Sequence, residues 1–248
     1  MIRYILIAII MFVMKSTISF AQGFDWQYDY RLPSSYPFIF VGINAEYGIV
    51  FHEGNFNFLE DEIPCCRFTN GDGNISNIGI SLEYWYDSKI SFQLTAAVNN
   101  VTGSFTANSS DTVRGGSMKT AFDFESTVSY LAISPGIKYR LLGSKLYAAF
   151  DLKMLIKYAS SGEHSERRIS DNVPFNSRTI ANGRIDALST LVVLPQLRLG
   201  YDLAIFRNVY ISPYISASYT IDNIIESEKW KHYDLHFGIS LMNGLISK

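Results

Sequence analysis

From Phe38 onward the chain alternates apolar and polar residues with a period of two. In Phe38–His52 one face reads Ile39, Val41, Ile43, Ala45, Tyr47, Ile49 and Phe51. The other reads Phe40, Gly42, Asn44, Glu46, Gly48, Val50 and His52. Such alternation marks a strand whose two faces meet different surroundings. The pattern returns at 75–86, 90–101, 131–140, 146–157, 191–203, 209–219 and 232–241, which predicts eight strands. The connections alternate too. Short turns at 87–89, 142–144 and 205–207 are interleaved with long polar segments near 53–74, 102–121 and 159–185, and a shorter one near 222–227. Short turns at one end and long loops at the other are the layout of an outer-membrane barrel. The expected fold class is all-β: an eight-stranded antiparallel up-and-down transmembrane β-barrel.

Alternation alone does not say which face meets lipid; the composition of the polar face does. A water-facing surface is dense in Lys and Glu. Here the polar face is mainly Gly, Ser, Thr, Asn and Ala with a minority of charges of both signs. Those residues suit the crowded lumen of a small barrel, where a buried charge needs a partner. Glu46, Glu83, Asp151, Asp202 and Asp234 are therefore expected to face Lys138, Arg140, Lys153, Arg198 and His236 in a lumen charge network. Tyr84, Tyr86, Phe92, Tyr139 and Tyr201, near the short turns, fit an aromatic girdle. Two features disturb the pattern. Pro135, Pro195 and Pro213 fall inside strands on the lipid face, predicting local bulges. Phe122, Phe124 and Val128 are out of phase with Leu131, predicting a bulge or an extramembrane extension over 117–130.

The N-terminus carries a different signal. Arg3, the apolar run Tyr4–Met14 and the small residues Ser19 and Ala21 read as a cleaved signal peptide over 1–21. Residues 22–37, with Phe24, Trp26, Tyr28 and Tyr30, are expected on the periplasmic side, and 38–248 as the barrel. No later apolar stretch is long enough for a transmembrane helix. At 48% hydrophobic, 15% aromatic and 18% charged residues, the 248-residue chain is neither disordered, collagenous nor coiled coil. A net charge of −2 gives no basic footprint, so nucleic acid is not an expected partner.

Two segments carry a family resemblance: Pro64-Cys65-Cys66-Arg67-Phe68 with Gly71, Gly73, Gly79 and Glu83, and Tyr130–Arg140 with the hairpin into Leu146-Tyr147. Together they resemble the PorT-like outer-membrane β-barrel domain family, similar in shape to the small OmpX and OmpA barrels. The resemblance implies a barrel in the outer membrane of a Gram-negative cell envelope, in contact with outer-membrane lipid and delivered by the barrel assembly machinery. It supplies no catalytic residues. It also suggests a place in an envelope secretion system.

Candidate chemistry is sparse. Cys65 and Cys66 are adjacent in the first long segment, and in an oxidising compartment a vicinal disulfide is the expected state, with free thiols or an intermolecular bridge as alternatives. Two sulfurs without nearby His fall short of a metal site, and no cofactor is expected. His52 and His232 point inward at the external rim on strands that must pair to close the barrel, with Glu53, Glu226 and Glu228 close in sequence. A His with a carboxylate is the core of general-base chemistry, which makes these two the candidate catalytic residues of a lipid-modifying enzyme. The alternative is a pair of hydrogen-bonded polar histidines, and no nucleophile motif is present. Asn70-Gly71-Asp72-Gly73-Asn74 lacks the acids of a calcium loop and reads as a glycine-rich turn; Glu60-Asp61-Glu62 reads as a solvated acidic patch. The favoured function is structural or interactive and non-enzymatic, with an extracellular or periplasmic protein partner. Lipid-modifying enzyme, secretion component and narrow channel are the alternatives.

Overall fold

In the computed structural model the described residues are 38–56, 67–87, 89–113, 116–141, 145–169, 178–185, 187–206, 209–225 and 228–245. The signal peptide, the 22–37 segment, Glu60–Glu62, Cys65, Cys66 and Glu226 lie outside them. The elements are β1 (Ile39–Phe56), β2 (Phe68–Trp85), β3 (Ile90–Val113), β4 (Gly116–Arg140), β5 (Leu146–Ile169), β6 (Arg178–Gly183), β7 (Leu191–Tyr201), β8 (Leu203–Phe206), β9 (Val209–Tyr219) and β10 (Lys229–Leu245). Eight of them close a ring in the order β1-β2-β3-β4-β5-β7-β9-β10, all antiparallel. β8 continues β7 past an irregularity at Asp202, and β6 flanks β5 at the loop end. The ring closes between β1 and β10 from Ile39↔Leu245 to Asn55↔Lys229 without a slip. At the short-turn end, Asp87 Oδ1 accepts from the backbone N–H of both Lys89 and Ile90 at 2.7 Å, an Asx turn that tightens the β2–β3 hairpin.

The outward face is the apolar one. Ile78 is 70% exposed, Leu197 64% and Phe237 63%, and β1 sustains an apolar outer row from Val41 to Phe51. That matches the roughly 9–11 residues a tilted strand needs to cross a bilayer. Tyr84, Tyr86, Phe92, Tyr139 and Tyr201 ring the short-turn end, and Phe51 stacks on Tyr233 at 5.0 Å at the other.

The described parts of the long segments are largely strand. β3 and β4 keep one register from Ile90↔Tyr139 to Val113↔Gly116, and β5 follows β4 to Ile169↔Lys119. The wall therefore continues as sheet above the apolar belt. At about 3.3 Å per residue and a tilt near 45°, the thirteen or so residues of β4 beyond Val128 rise roughly 30 Å. Asn70–Asn74, expected as a turn, lies inside β2 opposite β1. A polar, glycine-rich strand is what the outer face permits once it has left lipid for water.

The two disturbances of the pattern resolve differently: the extramembrane extension, one of the two alternatives over 117–130, is what β4 forms, whereas the bulges expected at the prolines are absent. β4 does not change phase at 117–130. Phe122, Phe124 and Val128 continue the inward row of Tyr130 and Ala132. What inverts is the environment. Along β3 the outward row passes from Phe92, Leu94 and Val98 to Asn100, Thr102 and Ser104, while the inward row passes from Ser91, Gln93 and Asn99 to Val101 and Phe105. The slip nearby belongs to β5, where Ala159 and Lys157 face Ser129 and Tyr130 and leave Tyr158 extra, at the upper edge of the belt. The three prolines make no bulge. Register runs unbroken past Pro135, Pro195 and Pro213 on one side; on the other the ladder skips and resumes unshifted at Pro135 and Pro213, while at Pro195 the β7–β9 ladder ends. An antiparallel residue directs its N–H and C=O to the same neighbour, so a proline's missing donor costs bonds on one side only.

Candidate functional site

Among the described residues the barrel interior gathers a network of buried charges, and it is layered. At the short-turn end Phe40, Trp85, Tyr210 and Met242 form a buried floor, with Phe40 edge-on to Tyr210 at 5.2 Å. Above it Asp202, at the break between β7 and β8, takes Lys138 Nζ and Arg140 Nη2, each at 2.9 Å. Lys138 also reaches Glu83 at 3.3 Å. Glu83 accepts from Ser91 and Tyr210, and Asp202 from Ser212. The guanidinium of Arg140 lies 4.0 Å over Trp85 and the ammonium of Lys138 4.2 Å over Tyr147, so aromatic faces supply what carboxylates leave unfilled.

One layer up, Arg198 grips Asp151 with Nε and Nη2, both at 2.7 Å, and its Nη2 also donates to Gln93. Next, Glu46 accepts from Asn77 and Tyr214 at 2.9 Å each and faces Lys153 at 3.5 Å. His236 joins it to Asp234: Nδ1 is 3.2 Å from Glu46 and Nε2 is 2.7 Å from Asp234. Register makes this column, since His232, Asp234 and His236 are alternate inward residues of β10 facing β1. Gly238 sits opposite Glu46, where a Cβ would come within 2.7 Å of the Tyr214 hydroxyl.

All ten residues read from the sequence as a lumen network are thus inside the barrel and in contact with one another through three clusters. They comprise five carboxylates, four permanent cations and one histidine. Both ring nitrogens of His236 face carboxylates, so this one ring joins the Glu46 and Asp234 ends of the upper cluster. Sequence reading missed the neutral partners Gln93, Asn77, Tyr210, Tyr214 and the lumen serines; each was visible only as an inward position.

His52 and His232 are a register pair with ring centroids 5.7 Å apart, but not at an open rim. His52 Nδ1 accepts from Trp230 Nε1 at 3.2 Å, and His52 Nε2 lies 3.0 Å from the Thr102 carbonyl, so both nitrogens are engaged. His232 Nε2 is 3.4 Å from Asp234. Above them Phe56, Phe105 and Trp230 pack with centroids 4.9–5.4 Å apart, joined by Phe68 and Phe124. This cap belongs to an apolar cluster that includes Val101, Phe122, Val128, Leu155, Val192 and Leu194. Glu53, the rim acid expected beside the histidines, points outward, 3.9 Å from Lys229. The signal for the cap was present in the sequence as the out-of-phase Phe122 and Phe124.

An apolar outer belt, an ionic interior at the same height and a closed antiparallel ring leave one environment for the wall. The chain is a transmembrane β-barrel of the outer-membrane kind. No family model matches it, nor does any curated protein. Among solved structures it is similar to the outer membrane protein AlkL in lipid bilayers (12% identity, 89% of this chain and 97% of that one, TM-score 0.41). It is also similar to the outer membrane protease OmpT from Escherichia coli (10%, 86% and 97%, 0.37). OprG from Pseudomonas aeruginosa is a third (10%, 85% and 98%, 0.36). At such scores the membrane assignment rests on the barrel's own two surfaces.

Proposed function

We propose that this protein is a non-enzymatic outer-membrane barrel whose working part is the sheet it raises outside the membrane. The observation that supports the reading is the inversion of polarity along β3 and β4. Above the belt the wall has a wet outer face and an aromatic core, the organisation of a soluble β-sheet domain built on a membrane stalk. A sealed interior gives no reason for the chain to be a channel: aromatic cap above, aromatic floor below, paired charges between. The enzyme reading is the weaker one, because His52 has neither a free nitrogen nor a path to substrate, and a base must reach the proton it takes. The PorT-like resemblance and the secretion role that comes with it rest on the two sequence segments alone.

Complementation of a deletion strain separates these readings. A chain in which residues 104–125 are replaced by a short turn keeps the barrel and is expected to fail to restore the wild-type phenotype. The double variant His52→Ala/His232→Ala is expected to restore it with an unchanged outer-membrane lipid profile. Restoration by the shortened barrel, or an altered lipid profile in the histidine variant, would reverse the assignment.

A further inference from the structure

We propose that this barrel opens through its wall, between β7 and β9. The seam between them holds five ladder pairs, Gln196↔Ser218 to Gly200↔Tyr214, and β8 adds three below the break. Each of the other seven seams of the ring carries eleven or more. A proline bounds the seam at each end, on opposite strands. Pro195 on β7 removes the donor that would bond toward Tyr219. Pro213 on β9 removes the one toward Tyr201, where β7 breaks before Asp202. Above Pro195, among the described residues, the ladder gives way to scattered bonds: Ile221 N–H to the Val193 carbonyl at 3.1 Å, Ser189 N–H to the Ile224 carbonyl at 2.7 Å beside an isolated bridge at Leu188↔Ile225, and the Ser189 hydroxyl to the Asn223 carbonyl at 3.0 Å.

The interior side chains do little to reinforce this wall. Gln196 donates to Ser216 at 3.0 Å across the seam and Ser212 donates to Asp202. Arg198 spends its hydrogen bonds on Asp151 and Gln93, on β5 and β3, and meets β9 only by lying 5.4 Å from the Tyr214 ring. Both axial exits are closed, by the cap and by the floor. An opening at the least-bonded seam therefore connects the interior to the bilayer and to neither aqueous side. Local opening draws on the elements with fewest bonds to break.

The test starts from a background with Cys65→Ser and Cys66→Ser. One variant adds Leu197→Cys and Ala217→Cys, opposed across the β7–β9 seam; the other adds Ile43→Cys and Ile80→Cys, opposed across β1–β2. The temperature at which the folded gel mobility is lost is compared with each disulfide formed and reduced. Loop-closure entropy favours the β1–β2 bridge, which spans the longer loop. A seam that opens predicts the reverse, a larger upward shift for the 197–217 bridge, and an equal or larger shift for 43–80 overturns the proposal. Amide exchange on the unaltered chain in detergent micelles gives an independent reading should either variant fail to insert. The belt amides of β7 and β9 are expected to exchange about tenfold faster than those of β1 and β2; equal rates also overturn it.

Discussion

The lower and upper halves of this barrel's interior are built from the same inward positions on the same strands, yet one is ionic and the other aromatic. Beside Glu46, Asp151 and Asp202 the wall's outer face lies in hydrocarbon. Beside Phe105, Phe122 and Phe124 it lies in water. Each half hides from its surroundings what those surroundings reject. Where lipid takes the apolar residues, the lumen is left to the polar ones, held by mutual pairing. Where water takes the polar residues, the interior collapses as an ordinary hydrophobic core. A strand crossing the membrane surface thus changes polarity without changing register.

The ionic half should be the less forgiving of a single change. Asp202→Asn leaves Lys138 and Arg140 buried with one carboxylate fewer, and breaking a buried pair costs about 3–5 kcal/mol. Urea unfolding in lipid micelles is expected to show that loss, with much of it recovered when Lys138→Met removes one of the stranded cations. A single variant as stable as the parent would mean that the lower lumen is hydrated rather than dry. Phe105→Ala attacks the other half, where emptying a packed aromatic site costs about 3 kcal/mol. The damage should stay local. Limited proteolysis of the external sheet is expected to accelerate while the heat-modifiable mobility of the barrel persists, and joint loss of both would merge the two halves into one cooperative unit.

The boundary between the halves can be located on one strand. Leu94 and Thr102 both point outward from β3, on either side of the inversion. Leu94→Lys puts a charge in hydrocarbon at about 2–4 kcal/mol, falling to nearly nothing at the interface. Thr102→Lys should therefore escape that penalty and lose only the exposed hydrogen bonds of its hydroxyl to the Asn74 backbone. Folding yield into vesicles measures both, and equal penalties would erase the line drawn here.

The same boundary explains what could be read from the sequence. Membrane strands were legible because lipid forces strict alternation, and the ten lumen charges because a charge opposite a greasy row has nowhere else to go. The extensions of β3, β4 and β5 were not, because in water a strand's outer face can be any polar residue, so Thr102–Thr106 and Asn70–Asn74 look like loop. Phe122 and Phe124 announced the cap, but a reversal of environment and a slip of register leave the same trace in a one-dimensional pattern. Only the unbroken pairing of β3 with β4 separates them. The sealing of His52 was beyond reach because Trp230 and Phe105, which close over it, come from strands far apart in sequence.

The smallest expected effect lies in the cap, outside the membrane. His164 is buried beside Phe68, Phe122 and Phe124, with ring centroids 5.9, 5.9 and 6.5 Å away, and neither ring nitrogen has a hydrogen-bond partner among the described residues. Burial among these rings disfavours the imidazolium and lowers the pKa below its ordinary value. Asp123 opposes that more weakly, and its own carboxylate is 3.3 Å from Arg167. A histidine whose folded pKa is depressed contributes stability that is present above the unfolded pKa, near 6.5, and is lost as pH falls toward the folded value. The external sheet should therefore exchange its amides faster at pH 5 than at pH 7, after correction for intrinsic rates, while the belt of β1 and β2 does not. His164→Leu keeps the packing and removes the proton, so its sheet should respond less to pH than the parent's. If the variant and the parent responded alike, the acid sensitivity would belong to the exposed carboxylates of the external sheet and not to the aromatic core.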